Sequence, residues 1–233
     1  MRRLLSTIVL DIRLQLRNGF YYAAGLVAVF WAVGLSRLSL GNVSPWMPVF
    51  ILSNLLINGY YFMAGLVLLE KAEGTLTAQS VSPLRAWEYL TSKVLTLILL
   101  SSLESLVIVF FGYGPGFAPV GLLLGVMFSV GFFTLAGFLV VIRYDSVNEF
   151  LFPSFLFTLF FVPPFLSYFG LIETGLIYLH PIQGSLLLTQ AAFQRIESWK
   201  YVYALLSSLV WIGVAFSLSR KAFARFVVAT EGD

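Results

Sequence analysis

The side chains of this 233-residue chain that could do chemistry are few. Glu104 is an acid inside a long apolar stretch, and Asn54 and Asn58 form an i, i+4 pair inside another. Because a charge at mid-bilayer costs about 2.5–3.5 kcal/mol, Glu104 is expected to be protonated, to pair across an interface or to line a wet path. The two asparagines are expected to hydrogen-bond a neighbouring helix or to contact a substrate.

A second group of polar residues interrupts the apolar sequence for about twenty positions. Glu70, Lys71 and Glu73 end one apolar run, and the pair Ser82-Pro83 precedes the next. A serine followed by proline is typical of a helix N-cap and first turn, so this pair predicts the start of a new helix. The stretch is therefore interpreted as a compact, stiff loop that could receive a push from a partner. The alternative is an ordinary ordered loop.

Several kinds of chemistry are excluded by composition and motif. The chain has no cysteine and one histidine, so neither a thiolate nor a histidine-built metal site is expected. No Gly-x-x-x-x-Gly-Lys motif, nucleophile elbow or zinc-protease motif occurs. We therefore expect no catalytic residue, no metal, no nucleic-acid partner and no cofactor bound by this chain. Any ATP must be hydrolysed by another polypeptide.

The composition indicates an all-α integral membrane protein. Hydrophobic residues make up 59% of the chain and charged residues 11%, against about 25% charged residues in soluble domains. A bilayer core needs about 20 apolar helical residues per crossing. Six crossings are predicted within a single domain, 1–233, and the Gly-Tyr-Gly-Pro-Gly turn separates the third from the fourth. The predicted spans are 19–37, 46–69, 90–111, 118–142, 148–169 and 201–220.

The distribution of Lys and Arg predicts that both termini are cytoplasmic. We expect the protein in the inner (plasma) membrane of the cell. With the N-terminus inside, the outer segments hold only Arg37, Arg195 and Lys200, and all other basic residues lie inside. Residues 1–18 form an amphipathic pattern, which predicts a helix in the inner interface with its arginines near anionic headgroups. The apolar arc of that helix contains Leu4, Leu5, Ile8, Val9, Ile12 and Leu16.

The uncharged stretch between the fifth and sixth spans has about the length of a crossing, but Pro181 and Gly184 lie in its middle. A crossing there would place the basic C-terminal tail outside. Residues 173–198 are therefore predicted to be a re-entrant segment on the outer side, and a seventh span is the alternative. Pro163-Pro164 should break the fifth span before this segment.

A small-residue pattern in the fourth span predicts close helix packing. Gly121, Gly125 and Ser129 recur every four residues and so share one helix face.

The block Glu70–Lys93 resembles the permeases of type 2 ABC exporters. The shared pattern is an acidic-basic pair, Gly-Thr-Leu, Ser-Pro-Leu, and then aromatic residues and a lysine at the start of the third span. This chain has Lys71 where arginine is common and Thr77 where an acid is common. The stretch "HPIQGSLLL" is also similar to small drug-export permeases, including those described as fluoroquinolone exporters.

The resemblance implies partners and roles. Residues 70–89 would be a coupling segment that contacts a cytoplasmic ATP-binding subunit, which would hold ATP and Mg. The helix 1–18 would touch that subunit too. Two permease subunits, alike or different, would form the path between them in contact with membrane lipids. The residues implied in coupling are Glu70, Lys71, Glu73, Gly74, Thr75, Leu76, Ser82 and Pro83.

Aromatic and polar side chains of the spans could line a path for a flat hydrophobic drug-like or lipid-like molecule. Two other functions stay open at this point. One is a proton-coupled carrier or channel that uses Glu104, and the other is a non-transporting membrane scaffold. The candidate path residues are Asn54, Asn58, Tyr61, Glu104, Phe157 and Phe161.

Overall fold

The structure, a computed structural model, describes residues 2–37, 43–76 and 84–230. All regular structure in these three ranges is helical. The elements are α1 (Arg2–Arg17), α2 (Phe20–Arg37), α3 (Met47–Leu56), a π-helical turn (Ile57–Tyr61), α4 (Phe62–Ala72), α5 (Ala86–Gly112), α6 (Pro119–Val141), α7 (Val147–Leu159), α8 (Val162–Tyr168), a 3-10 turn (Gly175–Leu179), α9 (Gln183–Gln190) and α10 (Ser198–Thr230).

Within the described ranges, six helical segments are long and apolar enough to cross a membrane, which confirms the predicted all-helical architecture with six spans. Two of them are composite: α3, the π-helical turn and α4 form Met47–Ala72, and α7 with α8 forms Val147–Tyr168. The others are α2, α5, α6 and α10. The sixth span, α10, continues about ten residues beyond the predicted end at 220, so the basic C-terminal part of this helix is helical.

Helix α6 lies at the centre of the bundle and is its most buried span. It approaches the π-helical turn closely because glycine stands at the contacts. A Cβ atom at Gly137 would lie 2.5 Å from the Tyr60 carbonyl oxygen, and one at Gly59 would lie 2.6 Å from Phe133 Cβ. These two positions therefore need glycine if the second and fourth spans are to pack backbone to backbone.

The small-residue face of α6 packs against the end of α9, as the pattern predicted. A Cβ atom at Gly125 would lie 2.5 Å from Thr189 Oγ1, and one at Gly121 would lie 3.1 Å from the Ala192 nitrogen. Ser129 differs from the two glycines, since its hydroxyl donates to the Gly125 carbonyl at 2.6 Å.

Gly125→Ala is expected to destabilise the fold by about 1–3 kcal/mol, because the added methyl overlaps Thr189 and the helices must separate. Gly213→Ala is the matched control, since Gly213 lies in α10 with nothing within 4 Å of its Cβ position. The control should be neutral or stabilising by up to about 1 kcal/mol, because alanine is the better helix former. Thermal unfolding in detergent measures both, and equal melting temperatures would contradict the close packing.

The fifth span breaks where the double proline predicted. Helix α7 ends at Leu159 and α8 begins at Val162. Pro164 has no N–H, so the Phe160 carbonyl lacks its usual partner four residues later. His180 replaces that partner: its Nε2 lies 2.8 Å from the Phe160 oxygen, and the Ile182 N–H points to its Nδ1 at 3.4 Å. One neutral imidazole thus joins the fifth span to the following segment.

Stability is expected to fall with acid because of this histidine. Burial lowers the pKa of His180 below its ordinary value of 6.5, although its bond to the Phe160 carbonyl opposes the shift. The stabilisation is therefore fully present above pH 6.5 and is lost below it, by up to about 1.4 kcal/mol per pH unit. Melting curves between pH 8 and pH 5 should show this loss of stability. In His180→Gln, the part of the pH dependence that comes from protonation of the imidazole should be absent. Identical pH profiles for the two proteins would contradict the assignment.

Residues 173–198 form two short helices rather than a seventh span. The longer, α9, has eight residues and so extends about 12 Å, far less than a bilayer core. It packs against α6 and α10. Among the residues that the structure describes, six segments are candidate spans and this one is not. Its placement on the outer side of the membrane stays a prediction.

Helix α5 begins later than the Ser82-Pro83 pair predicted. Arg85 is the N-cap and has an extended backbone, and its N–H donates to the Glu88 carboxylate at 2.9 Å. Glu88 thus accepts from the N-cap N–H, which is the half of a capping box that an N3 glutamate supplies. Ser82 and Pro83 themselves lie outside the described residues.

Candidate functional site

One end of the bundle collects the residues that the sequence implicated in coupling. We call it the α1 end: it comprises α1, residues 70–76 and 84–93, the 142–149 connection and the C-terminal part of α10. Lys71 shows how these parts meet, since its Nζ donates to the carbonyls of Ile142 and Tyr144 at 2.9 and 2.8 Å. It also lies 5.1 Å from the centre of the Phe226 ring.

A buried group of charges lies inside the α1 end. The Lys93 ammonium donates to Asp11 Oδ1 at 2.6 Å and to the Glu70 carboxylate. Tyr89 donates to the other Glu70 oxygen at 2.7 Å, and Ser92 donates to the other Asp11 oxygen. We call these five residues the Lys93 cluster.

The Lys93 cluster links three helices. Asp11 comes from α1, Glu70 from the last turns of α4, and Tyr89, Ser92 and Lys93 from α5. All five are buried. Buried ions are tolerated only when they are paired and hydrogen-bonded, so the need to keep the cluster complete fixes how α1 packs on the ends of α4 and α5.

Helix α1 reaches the cluster through a face that is not its most apolar one. Asp11 and Gln15 are buried against α5, and the Gln15 amide donates to Thr96 Oγ1 at 2.8 Å. Leu5 and Val9, in contrast, are 62% and 49% exposed. Part of the predicted apolar arc of α1 therefore packs on α5, and the rest is exposed on the surface of the protein. This arrangement suits a helix that packs on a span and contacts lipid.

The predicted coupling residues fall into two groups. Glu70 and Leu76 are buried, and Lys71 is occupied in capping the end of α6. Thr75 donates to the Glu70 carbonyl at 3.1 Å. In this conformation these four side chains are engaged in contacts within the chain.

Glu73 and Gly74 are the exposed members of the set. Glu73 pairs with Arg17 of α1 at 3.2 Å, with both side chains partly in solvent. Gly74 has φ +68°, a left-handed conformation that favours glycine. The chain therefore turns at an exposed point directly after α4.

A second polar group lies at membrane depth. Asn58 donates to one oxygen of the Glu104 carboxylate, which joins the second span to the third as predicted for an interhelical bond. Asn54, one turn earlier, lies near the same carboxylate. Among the described residues the other Glu104 oxygen has no hydrogen bond of normal geometry, although Asn54 interacts with the same carboxylate, and the buried hydroxyls of Ser101 and Ser105 have no partner.

The aromatic candidates for a path surround Tyr60. Phe157 stacks on Tyr60 at 6.1 Å, and Tyr61 lies edge-on to it at 5.1 Å. Phe161 is 1% exposed and packs on Phe133 at 5.2 Å, so it belongs to the core of the bundle here. Of the three aromatic path candidates, Tyr61, Phe157 and Phe161, only Phe157 has a substantially exposed side chain.

Comparison with known proteins gives this arrangement a family. The model of the fluoroquinolones export permease protein family matches residues 2–231, nearly the whole chain. This chain belongs to the fluoroquinolone export permease family. Two relatives are the fluoroquinolones export permease proteins of Mycobacterium tuberculosis strains CDC 1551/Oshkosh and ATCC 25618/H37Rv. Each is 29% identical over 235 residues, with 100% of this chain and 99% of the relative covered.

Family and fold together identify this export permease as a multi-pass membrane protein that serves transport rather than enzymatic catalysis. Within the three described ranges, no group of three His, Cys, Asp or Glu residues could hold a metal ion.

Sequence reasoning missed the Lys93 cluster of this export permease, although a signal was present. Asp11 is the only acid among the first 69 residues, and it lies among apolar residues. At 100° per residue it shares one face with Leu4, Ile8 and Gln15. An acid inside an apolar helix face needs a buried cation, and Lys93 was available at the start of the third span.

Proposed function

We propose that this export permease is the membrane-spanning subunit of a type 2 ABC exporter. A separate cytoplasmic subunit would bind ATP and Mg, and a second permease subunit would complete the translocation path. The α1 end would face the cytoplasm in the inner (plasma) membrane, with both termini inside. The exported molecule would be flat and hydrophobic, and a fluoroquinolone is the natural first choice because the relatives are named for such compounds.

The observation that carries this proposal is the Lys93 cluster. It ties α1 and the ends of α4 and α5 into one unit directly beside the exposed turn at Glu73 and Gly74. A force on that turn would reach two spans at once through a buried ionic contact, because the cluster resists separation. Such a unit suits a permease that is driven from outside its own chain.

The experiment is ATP-driven uptake of a fluoroquinolone into inside-out vesicles that contain the permease with or without its ATP-binding partner. The proposal predicts uptake only when the partner and ATP are both present. A partner with an inactivated ATP site is the matched control and should give no uptake. Uptake that is unaffected by removal of the partner would reject the proposal.

Glu104 is the observation that favours a proton-coupled carrier as the second candidate, since it is an acid at membrane depth that is only 4% exposed and forms no ion pair among the described residues. A carrier of that kind would lose transport when the proton gradient is dissipated, and also in Glu104→Gln. The exporter proposal predicts ATP-dependent uptake despite the uncoupler. It also predicts that Glu104→Gln changes uptake by less than about threefold, the effect of an interhelical hydrogen bond of about 0.6 kcal/mol.

A further inference from the structure

The second span is not a continuous α-helix. Between α3 and α4 the chain makes the π-helical turn Ile57–Tyr61, in which the Phe62 N–H donates to the Ile57 carbonyl five residues earlier. Such a turn holds one residue more than the same stretch of α-helix, and single π-helical turns are found frequently at functional sites. The turn separates two polar contacts of the second span, one made by Asn58 and one made by Glu70.

Both polar contacts are made with the same helix, α5. Asn58 donates to the Glu104 carboxylate, and Glu70 accepts from the Lys93 ammonium. Lys93 and Glu104 are eleven positions apart, which is close to three whole turns of about 3.6 residues, so they share one face of α5. The second span must therefore present Asn58 and Glu70 on one face as well.

An unbroken α-helix could not present Asn58 and Glu70 in this way. They are twelve positions apart, so a regular helix would place them about 120° from each other around its axis. The additional residue in the π-helical turn absorbs about 100° of this difference. The turn is therefore what allows one helix to reach Glu104 and Lys93 at the same time.

The two contacts differ in how firmly they are held. Glu70 belongs to the Lys93 cluster, in which a buried ammonium is paired with two carboxylates. Asn58 contributes a single hydrogen bond between an amide and an acid, and interhelical bonds of this kind contribute only modestly in membrane proteins. If the two halves of the second span rotate against each other, the Asn58 contact is the one that breaks.

We propose that the π-helical turn is a rotation joint in the second span. When the turn converts to regular α-helix, α3 rotates by about 100° relative to α4, because one residue per turn is redistributed. The Asn58–Glu104 bond then breaks and the Lys93 cluster stays intact. A push at Glu73 and Gly74 thus reaches the far half of the span as a rotation. This inference rests on the proposed function, since the push comes from the ATP-binding subunit.

Deletion of Phe62, the first residue after the turn, tests the joint. The shortened span can be a regular α-helix that keeps both Asn58 and Glu70 in contact with α5, but it has no additional residue to redistribute. Phe62→Ala is the matched control, because it loses the same ring and keeps the turn. The deletion variant should melt no lower than Phe62→Ala. Its ATP-dependent uptake should nevertheless be at least about tenfold lower than that of Phe62→Ala, because the conformational step is blocked.

Deletion of Leu99 is the second control. Leu99 is half-exposed in α5 and lies between Lys93 and Glu104. Its removal turns these two residues apart by about 100°, and α5 is α-helical throughout, so no π-helical turn can absorb the change. This variant should give no folded protein on gel filtration, whereas the Phe62 deletion should give a single folded species.

Hydrogen exchange in lipid nanodiscs, without ATP or partner, gives a readout that does not depend on transport. Peptides that cover residues 54–64 should exchange at least about tenfold more slowly in the Phe62 deletion than in Phe62→Ala, because regular helical bonds replace the turn. The inference is overturned by uptake in the deletion variant equal to that of Phe62→Ala, by equal exchange rates, or by a deletion variant that does not fold. If the wild type shows no partner-dependent uptake, the exporter proposal is rejected, and the exchange rates still decide for or against the joint.

Discussion

Lys93→Met is expected to destabilise the permease by about 3–5 kcal/mol, enough to prevent accumulation of folded protein. The substitution keeps the length of the side chain and removes its charge, so Asp11 and Glu70 lose their shared cation inside the bundle. Uncompensated buried carboxylates are among the most costly defects in a protein interior. Thermal unfolding of the detergent-solubilised protein, and its yield as a single species on gel filtration, measure the effect.

Lys200→Met is the matched control for this prediction. Lys200 also forms an ion pair, with Glu197 at 3.1 Å, but the pair lies in solvent at the other end of the bundle. Exposed pairs contribute about 0–1 kcal/mol, so this variant should melt close to the wild type. Equal losses in the two variants would show that the burial of the Lys93 cluster has no special importance.

A compensating triple variant separates the charge from the shape of the cluster. Asp11→Asn and Glu70→Gln in the Lys93→Met background remove all three charges while keeping the side-chain sizes. Replacing a complete buried ion group by neutral residues is often tolerated, so this variant should recover most of the lost stability. A triple variant as unstable as the single one would mean that the cluster acts through packing alone.

Glu73→Arg is expected to reduce ATP-dependent uptake by at least about tenfold while the protein stays folded. The residue is exposed beside the turn at Gly74, and its only ion pair is with Arg17 among the residues that the structure describes. Loss of an exposed pair costs at most about 1 kcal/mol, so stability should survive. The reversal of charge at the proposed contact with the ATP-binding subunit should not be tolerated. Uptake in the reconstituted vesicles, normalised to folded protein, gives the result.

A charge-swapped double variant, Arg17→Glu with Glu73→Arg, tells where Glu73 acts. It restores an ion pair between α1 and the turn but leaves the charge reversed for any partner. The proposed contact predicts that uptake stays low in the double variant. Recovery to wild-type uptake would place the function of Glu73 inside this chain and would contradict a direct contact. Glu173→Arg, an exposed acid at the other end, is the control and should transport normally.

The helical framework could be predicted because it follows from local physics. Runs of about 20 apolar residues must form helices in a bilayer, since no water satisfies the backbone there. The small-residue face at Gly121 and Gly125 and the break at Pro163-Pro164 were also predictable, because each follows from the residue types themselves. Glycine allows close packing, and proline lacks the N–H that a helix needs. The start of α5 at Arg85 was not predicted from the sequence. The prediction used the Ser82-Pro83 pair, whereas the helix begins where Glu88 accepts from the Arg85 N–H.

The Lys93 cluster could not be predicted as a unit because it depends on contacts between distant parts of the chain. Asp11 and Lys93 are 82 positions apart, and Glu70 lies between them in sequence. Only the packing of α1 on α5 brings them together. The same packing explains why Glu70 is a buried anchor and not an exposed contact, although sequence alone placed it with Glu73 in one coupling segment.

The position of the α1 end relative to the membrane is the central claim, and cysteine labelling tests it most directly. The chain has no cysteine, so single cysteines at Ala72 and Leu171, both exposed and at opposite ends of the bundle, report without background. With a membrane-impermeant maleimide on intact cells, we expect Leu171→Cys to be labelled from outside and Ala72→Cys only after permeabilisation. Labelling of Ala72→Cys in intact cells would place the α1 end outside, where no cytoplasmic ATPase could reach it.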